Sequence, residues 1–152
     1  MQDKPVATNK KAFTHFHLDQ RWECGIELKG GEVKSIRAGQ VNFKDSFARV
    51  DADEAYLFNL HISPYKEAGL MNEEPDRMRK LLLRRKEIKK LTGLVTQKGF
   101  VLLPTKIYFN QRGFVKVEIA LGKGKKLYDK RDETKKRQLD LALRRTLKGQ
   151  RN

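Results

Sequence analysis

Phe100-Val101-Leu102-Leu103-Pro104-Thr105-Lys106-Ile107-Tyr108-Phe109, then Asn110-Gln111-Arg112-Gly113, then Phe114-Val115-Lys116-Val117-Glu118-Ile119-Ala120-Leu121 is two β-rich runs joined by a loop of hairpin length. Upstream, Phe13 to Leu18 alternates, Asp19-Gln20 interrupts, and Trp22 to Leu28 resumes with bulky residues, which predicts two strands and a hairpin. Gly30-Gly31 marks a turn. Glu32 to Ala38 carries Val33 and Ile36 three apart with Gly39 as a stop, a short helix. Ser46 to Val50 and Ala55 to Ile62 read as strands around the acidic turn Asp51-Ala52-Asp53-Glu54, and Lys66 to Pro75 reads as loop. Leu81-Leu82-Leu83 fits a short buried strand or a helical turn equally, because periodicity does not separate the two. Ile88, Leu91 and Val95 lie at i, i+3 and i+7 with lysines outward, a helix closed by Gly99. About six strands, two or three helices and no βαβ alternation predict a mainly β fold, an antiparallel barrel of the oligonucleotide-binding type with helices at its ends.

The chain has 152 residues, 38% hydrophobic, with a mean hydropathy of −0.73, enough for one modest core. It divides into a basic N-terminal extension (1–12), a barrel domain (13–122) and a basic C-terminal tail (123–152). That tail carries twelve Lys or Arg against four Asp or Glu, +8 of the total +15. A pI near 10.0 points to a polyanionic partner. No run approaches the roughly 20 apolar residues of a spanning helix, so no membrane span is expected. The lone Cys24 has no internal partner for a disulfide, which suits a reducing cytoplasm. In the tail, Leu139, Leu143 and Leu147 form one narrow apolar stripe among Lys135, Lys136, Arg137, Arg144 and Arg145. One stripe with repelling cations does not sustain an isolated helix, so the tail is expected to be disordered free and helical once RNA neutralises it. The plainer reading is a solvated tail that aids solubility. A second basic cluster spans Arg77 to Lys90, eight cations against Glu87 alone.

No catalytic cluster assembles, so the expectation is a binding protein and not an enzyme, without cofactor. His15 and His17 share one face if their segment is a strand, and with Cys24 or His61 they form the only metal set to weigh, but without the spacing of a zinc site. Gly122-Lys123-Gly124-Lys125-Lys126 lacks the first glycine and the hydroxyl of a phosphate-binding loop. Asp51, Asp53 and Glu54 read as a solvated turn. Cations interleaved with rings suit RNA, charge for phosphates and rings for unstacked bases. Phe43, Tyr56 and Tyr65 are stacking candidates that also suit the core; Tyr128, outside the barrel, is the better one.

Several segments together resemble one family, the small protein B (SmpB) proteins that bind transfer-messenger RNA (tmRNA, or SsrA RNA). They are Asn9-Lys10-Lys11-Ala12, Glu32-Val33-Lys34-Ser35 with Arg37-Ala38-Gly39, Val41-Asn42, Asp45-Ser46, His61-Ile62-Ser63-Pro64-Tyr65, Arg79-Lys80-Leu81-Leu82-Leu83 and Gly124-Lys125-Lys126-Leu127-Tyr128-Asp129-Lys130-Arg131. The resemblance implies an oligonucleotide-binding-like barrel with three helices and a tail unstructured in solution. It implies trans-translation: binding the tRNA-like domain of tmRNA, supporting its alanylation, and reaching stalled ribosomes with it. There the tail enters the empty mRNA channel at the decoding centre. Elongation factor Tu and alanyl-tRNA synthetase are partners through tmRNA, and the protein is expected to be a monomer.

By that resemblance Glu23, Leu82, Arg84, Gly124 and Lys126 take positions of tmRNA contact, joined by Lys34, Arg37, Asn42 and Lys125 from the matched segments. Tyr128, Asp129, Lys130, Arg131, Lys135, Lys136 and Arg137 form the ribosome-binding tail. An acidic contact such as Glu23 accepts from base amino groups or 2′-hydroxyls, since phosphate repels it; a salt bridge within the hairpin is the alternative. The sequence departs from the family at Trp22, Cys24, Phe47, which lacks a hydroxyl, and Arg84, a poor helix N-cap. The alternative function is a general single-strand or ribosomal RNA-binding barrel.

Overall fold

The computed structural model describes residues 5–65, 74–96 and 99–125. Its elements are β1 (Pro5–Thr8), α1 (Lys10–His15), β2 (Phe16–Ile26), α2 (Gly30–Arg37), β3 (Val41–Asn42), β4 (Phe47–Asp51), β5 (Glu54–Phe58), β6 (His61–Ile62), β7 (Arg79–Leu82), α3 (Arg85–Val95), β8 (Phe100–Phe109) and β9 (Val115–Gly124). All pairings are antiparallel. The main sheet runs β1-β8-β4-β5-β7-β2-β9, and β8 also pairs with β9. The expected barrel is therefore formed, six strands closing on themselves with β1 added outside β8. Closure between β4 and β8 rests on a single bridge, Ala48 to Leu102, while the β8–β9 hairpin runs from Phe100–Lys123 to Phe109–Val115.

The interior is built by strand parity. Cys24 and Ile26, Ala55 and Leu57, Leu81, Ile107, and Val117, Ile119 and Leu121 point inward and are buried. Helix α2 closes one end with Ile36, and α3 contributes Ile88 and Leu91. The β4–β5 turn places Ala52 and Asp53 at φ 48° and 64°, the two positive values of a type I′ hairpin that usually selects Asn-Gly.

Several expectations change. Gly30-Gly31 is not a turn but the start of α2, and the strand expected over Ala55 to Ile62 is two, β5 and β6, the second paired with β3 outside the main sheet. Phe13 to His15 is helix, since Asn9 caps α1, its Oδ1 accepting from the Ala12 N–H at 3.4 Å. No hairpin follows, because Asp19-Gln20 is a register shift between Leu18 and Arg21 within one eleven-residue strand. A bulge absorbs polar residues without reversing the chain. Residues from Pro5 onward belong to the folded body, tied by β1 and by the Asn9 N–H to Thr105 at 2.7 Å. Of the two readings left open for Leu81-Leu82-Leu83, the strand is the one formed, at Leu81-Leu82, and Leu82 points out, 47% exposed.

The basic cluster from Arg77 to Lys90 also divides. Arg79 sits on the inward parity of β7 with Leu81, its side chain fully buried. Its Nε reaches Glu32 Oε2 at 2.7 Å, its Nη1 donates to Leu60 O at 2.6 Å, and its Nη2 donates to Pro75 O at 3.0 Å. Arg77 donates to both Glu32 oxygens, at 2.5 and 3.1 Å, and the Lys29 N–H adds a bond at 2.9 Å. Burial pushes the Glu32 carboxyl up, but the bonds from Arg77, Lys29 and Arg79 outweigh it and hold it below its ordinary 4.5.

Glu32→Gln leaves Arg79 buried beside a neutral amide and is expected to destabilise the fold by about 3–5 kcal/mol in urea unfolding. Because the folded pKa is depressed, Glu32's contribution is complete above the unfolded value near 4.5 and disappears as pH falls through the folded one. The acid limb of the stability profile should accordingly be shallower in Glu32→Gln. Ala52→Asn, which tolerates the left-handed turn, should raise stability by about 0.5 kcal/mol or more.

Candidate nucleic-acid interface

On the outer face of the barrel, Lys116 of β9, Gly25 of β2 and Leu82 of β7 lie in one row, since Gly25 pairs with both neighbours. The middle position has no side chain. A Cβ there would stand 3.1 Å from Leu82 Cβ, so glycine both permits the close approach and leaves a trough along the row. This trough is the floor of an open groove of about 870 Å³ between β2, β7 and the start of α3.

Its rim is chemically mixed. Glu23, Asp53, Glu54 and Glu87 supply carboxylates, and Lys80, Arg84, Arg85, Lys86 and Lys116 supply cations. Glu23 accepts a hydrogen bond from the Tyr108 hydroxyl, which aims its carboxylate across β9. Lys80 reaches Glu54 at 3.1 Å. Hydrogen bonds from Tyr56 and then Lys80 hold the Glu54 carboxyl below its ordinary value, and the bond to Glu54 pushes the Tyr56 phenol up. Arg84 occupies the N-cap of α3 without capping it; the Arg84 N–H instead donates to Glu87 Oε1 at 3.1 Å, leaving the guanidinium exposed.

Glu23, Leu82 and Arg84, scattered in sequence, thus meet in one groove. Other candidates lie elsewhere. Lys34 and Arg37 are exposed on α2, over the rings of Tyr65 at 5.4 Å and Phe109 at 5.2 Å. Asn42 lines a separate groove of about 500 Å³ with Lys10, Lys11 and Lys44; its Oδ1 accepts from the Lys44 N–H at 2.9 Å and pins that lysine at φ 42°. Gly124 pairs with Phe16, seven residues along β2 from Glu23 and so about 23 Å away; Lys125 follows it, half-buried. Lys126, Tyr128, Asp129, Lys130, Arg131, Lys135, Lys136 and Arg137 lie outside the described residues.

Among the stacking candidates, Phe43 is core, while Tyr56 and Tyr65 are half-buried and engaged as above. Phe47 stacks on Phe58, centroids 5.0 Å apart. His15 ends α1 while His17 stands on β2, so they do not share a strand face, and His61 Nδ1 bonds Asp76 at 2.9 Å. Missed in the sequence were Lys80, Lys116, Tyr108 and Phe114. The signal for Lys116 and Phe114 was available, because Val115, Val117 and Ile119 inward force their neighbours outward.

The SmpB protein family model matches residues 6–149. The SsrA-binding protein of Thermosipho melanesiensis is 53% identical over 146 residues, covering 96% of this chain and 99% of that protein. The SsrA-binding protein of Thermoanaerobacter pseudethanolicus is 56% identical over 134 residues, covering 88% and 85%. A chain in a solved structure described as "tmRNA-SmpB: a journey to the center of the bacterial ribosome" superposes with a TM-score of 0.69 at 49% identity, over 80% of this chain and 85% of that one.

Cys24, beneath the groove, offers a check on the packing. Burial pushes its thiol up from 9.0 to about 12, with Glu87 and Glu23 adding and Lys116 opposing. At pH 8 the native thiol therefore carries about a thousandfold less thiolate than in the unfolded chain. Ellman's reagent should leave the native thiol unmodified on the timescale in which it labels the denatured protein.

Proposed function

Because this chain belongs to the SmpB protein family, we propose that it is a tmRNA-binding protein of trans-translation. It holds the tRNA-like domain of tmRNA, supports its alanylation, and accompanies it to stalled ribosomes. The observation that carries this reading is identity at 53% along 96% of the chain to a protein named for binding SsrA.

The groove supports it chemically. Arg84, Arg85, Lys86 and Lys116 neutralise phosphates, which supplies affinity without sequence information. Glu23 rejects phosphate and accepts from 2′-hydroxyls or base amino groups, which supplies discrimination. Leu82 offers an apolar contact between them. The protein makes and breaks no covalent bond; alanylation belongs to the synthetase and delivery to elongation factor Tu, both met through the RNA in the cytoplasm. The barrel, whose β9 runs through Gly124, and the tail beyond it are two binding elements, the first for tmRNA. The second, with Tyr128 to Arg131 and Lys135 to Arg137, is for the mRNA channel and decoding centre of the ribosome.

The test is competition between the tRNA-like domain of tmRNA and elongator tRNA for the full chain near physiological salt. A preference of tenfold or more is expected; equal, salt-sensitive binding to both would leave a general RNA-binding barrel. Glu23→Ala should weaken tmRNA binding by about tenfold or more, since a hydrogen bond to a charged group is worth about 1.5–3 kcal/mol. Removing Leu127 to Asn152 should leave most tmRNA affinity and abolish peptide tagging; loss of RNA binding would refute the two-element division.

A further inference from the structure

We propose that Phe114 is a stacking platform for one unstacked nucleobase of the bound RNA, with Leu82 as the facing apolar wall. The proposal rests on the tmRNA-binding reading and adds to it a residue and a mode of recognition.

Phe114 is 63% exposed, the most exposed of the large apolar side chains among the described residues. The ring is not there because the turn is loose. Asn110 Oδ1 accepts from the N–H groups of Phe114 at 2.9 Å and Arg112 at 3.0 Å. The Asn110 N–H donates to Phe114 O at 2.8 Å, and Gly113 N–H to Asn110 O at 2.9 Å. Gly113 supplies the φ of 84° that this closure needs. Two backbone bonds and two side-chain bonds therefore hold Phe114 at the mouth of β9, one residue before the inward Val115, with its ring on the outer side.

There it lines a smaller groove of about 320 Å³, walled by Leu28, Val33 and Leu82 and floored by Gly25. Gly25, Leu82 and Lys116 belong to both this groove and the charged one beside it. The two are one continuous channel, apolar at the Phe114 end and charged at the Arg84 end. Single-stranded RNA has that same division within each nucleotide: a flat apolar face on the base and a phosphate one backbone step away. A strand whose phosphates meet Arg84, Arg85 and Lys86 can turn one base past Lys116 into the space between Phe114 and Leu82. An apolar peptide would fill the smaller groove but leave the cations and carboxylates of the larger one unmatched, and a total charge of +15 favours a polyanion over it.

The test compares Phe114→Ala, Phe114→Leu, Phe114→Tyr and Phe114→Trp in the full chain for affinity to the tRNA-like domain of tmRNA. Stacking is worth about 1–3 kcal/mol per base, so Phe114→Ala should weaken binding by about 5- to 150-fold. Phe114→Leu should not restore it, whereas Phe114→Tyr and Phe114→Trp should. The salt slope should be unchanged in Phe114→Ala, since no phosphate contact is lost. Thermal unfolding of each variant separates binding from folding. Wild-type affinity in Phe114→Ala would overturn the proposal, and wild-type affinity in Phe114→Leu would replace stacking by simple apolar burial. Wild-type protein that does not prefer tmRNA over tRNA would instead defeat the underlying reading, whatever Phe114 does.

Discussion

The carboxylate of Glu32 between two arginines is the interaction on which the other placements depend. It sits inside the barrel end, where an unpaired charge is untenable, so Arg79 must come in on β7 and Arg77 must close over it. That requirement sets β7's parity: with Arg79 and Leu81 inward, Lys80 and Leu82 face out. It also ties α2 to the segment from Pro75 to Arg79, because the same guanidinium holds the carbonyls of Leu60 and Pro75. Buried ion pairs cost desolvation and often add little net stability. Here the pair selects one register among the several that a run of three leucines would allow.

Once β7 is in register, the groove follows from small-scale geometry. The outer row crosses Lys116, Gly25 and Leu82, and the missing side chain in its centre makes a depression where a barrel surface would otherwise be convex. Glu23, two residues back along the same strand, borders it and is held by Tyr108 from β8. Carboxylates within a basic chain make sense at such a place, since cations alone would hold any polyanion equally. A mixed rim restricts which part of the polyanion fits, in keeping with a protein that must tell one RNA from the many tRNAs around it.

The basic character read from composition turns out to be unevenly available. Arg77 and Arg79 are consumed by Glu32, Lys80 is shared with Glu54, and Lys34 and Arg37 lie over rings. Exposed cations remain at the head of α3 and near Asn42. The end of β9, where Gly124 and Lys125 lead toward the tail, stands at the other end of the β2–β9 pairing from Glu23. The groove and the end of β9 are thus separated by the length of a strand.

Short-range pattern was enough for much of this. The β8–β9 hairpin, the α2 helix from Glu32 on, the helix carrying Ile88, Leu91 and Val95, and the β4–β5 turn are all open in periodicity and turn residues, since each depends on neighbours a few positions apart. The family motifs also pointed to Glu23, Leu82 and Arg84, though not to their meeting. The alternation of Phe13 to Leu18 suggests strand throughout, yet its first three residues finish the helix at Lys10–His15, and Asp19-Gln20 resembles a turn because a bulge uses the same polar residues. Sequence by itself determined a basic antiparallel barrel with one modest core. Only tertiary structure decided which cations face solvent, that Leu82 points out, and that Glu23, Arg84 and Phe114 border one channel, because those outcomes depend on strand register. Register here is set by a buried contact between residues 47 positions apart, and no local pattern carries that information.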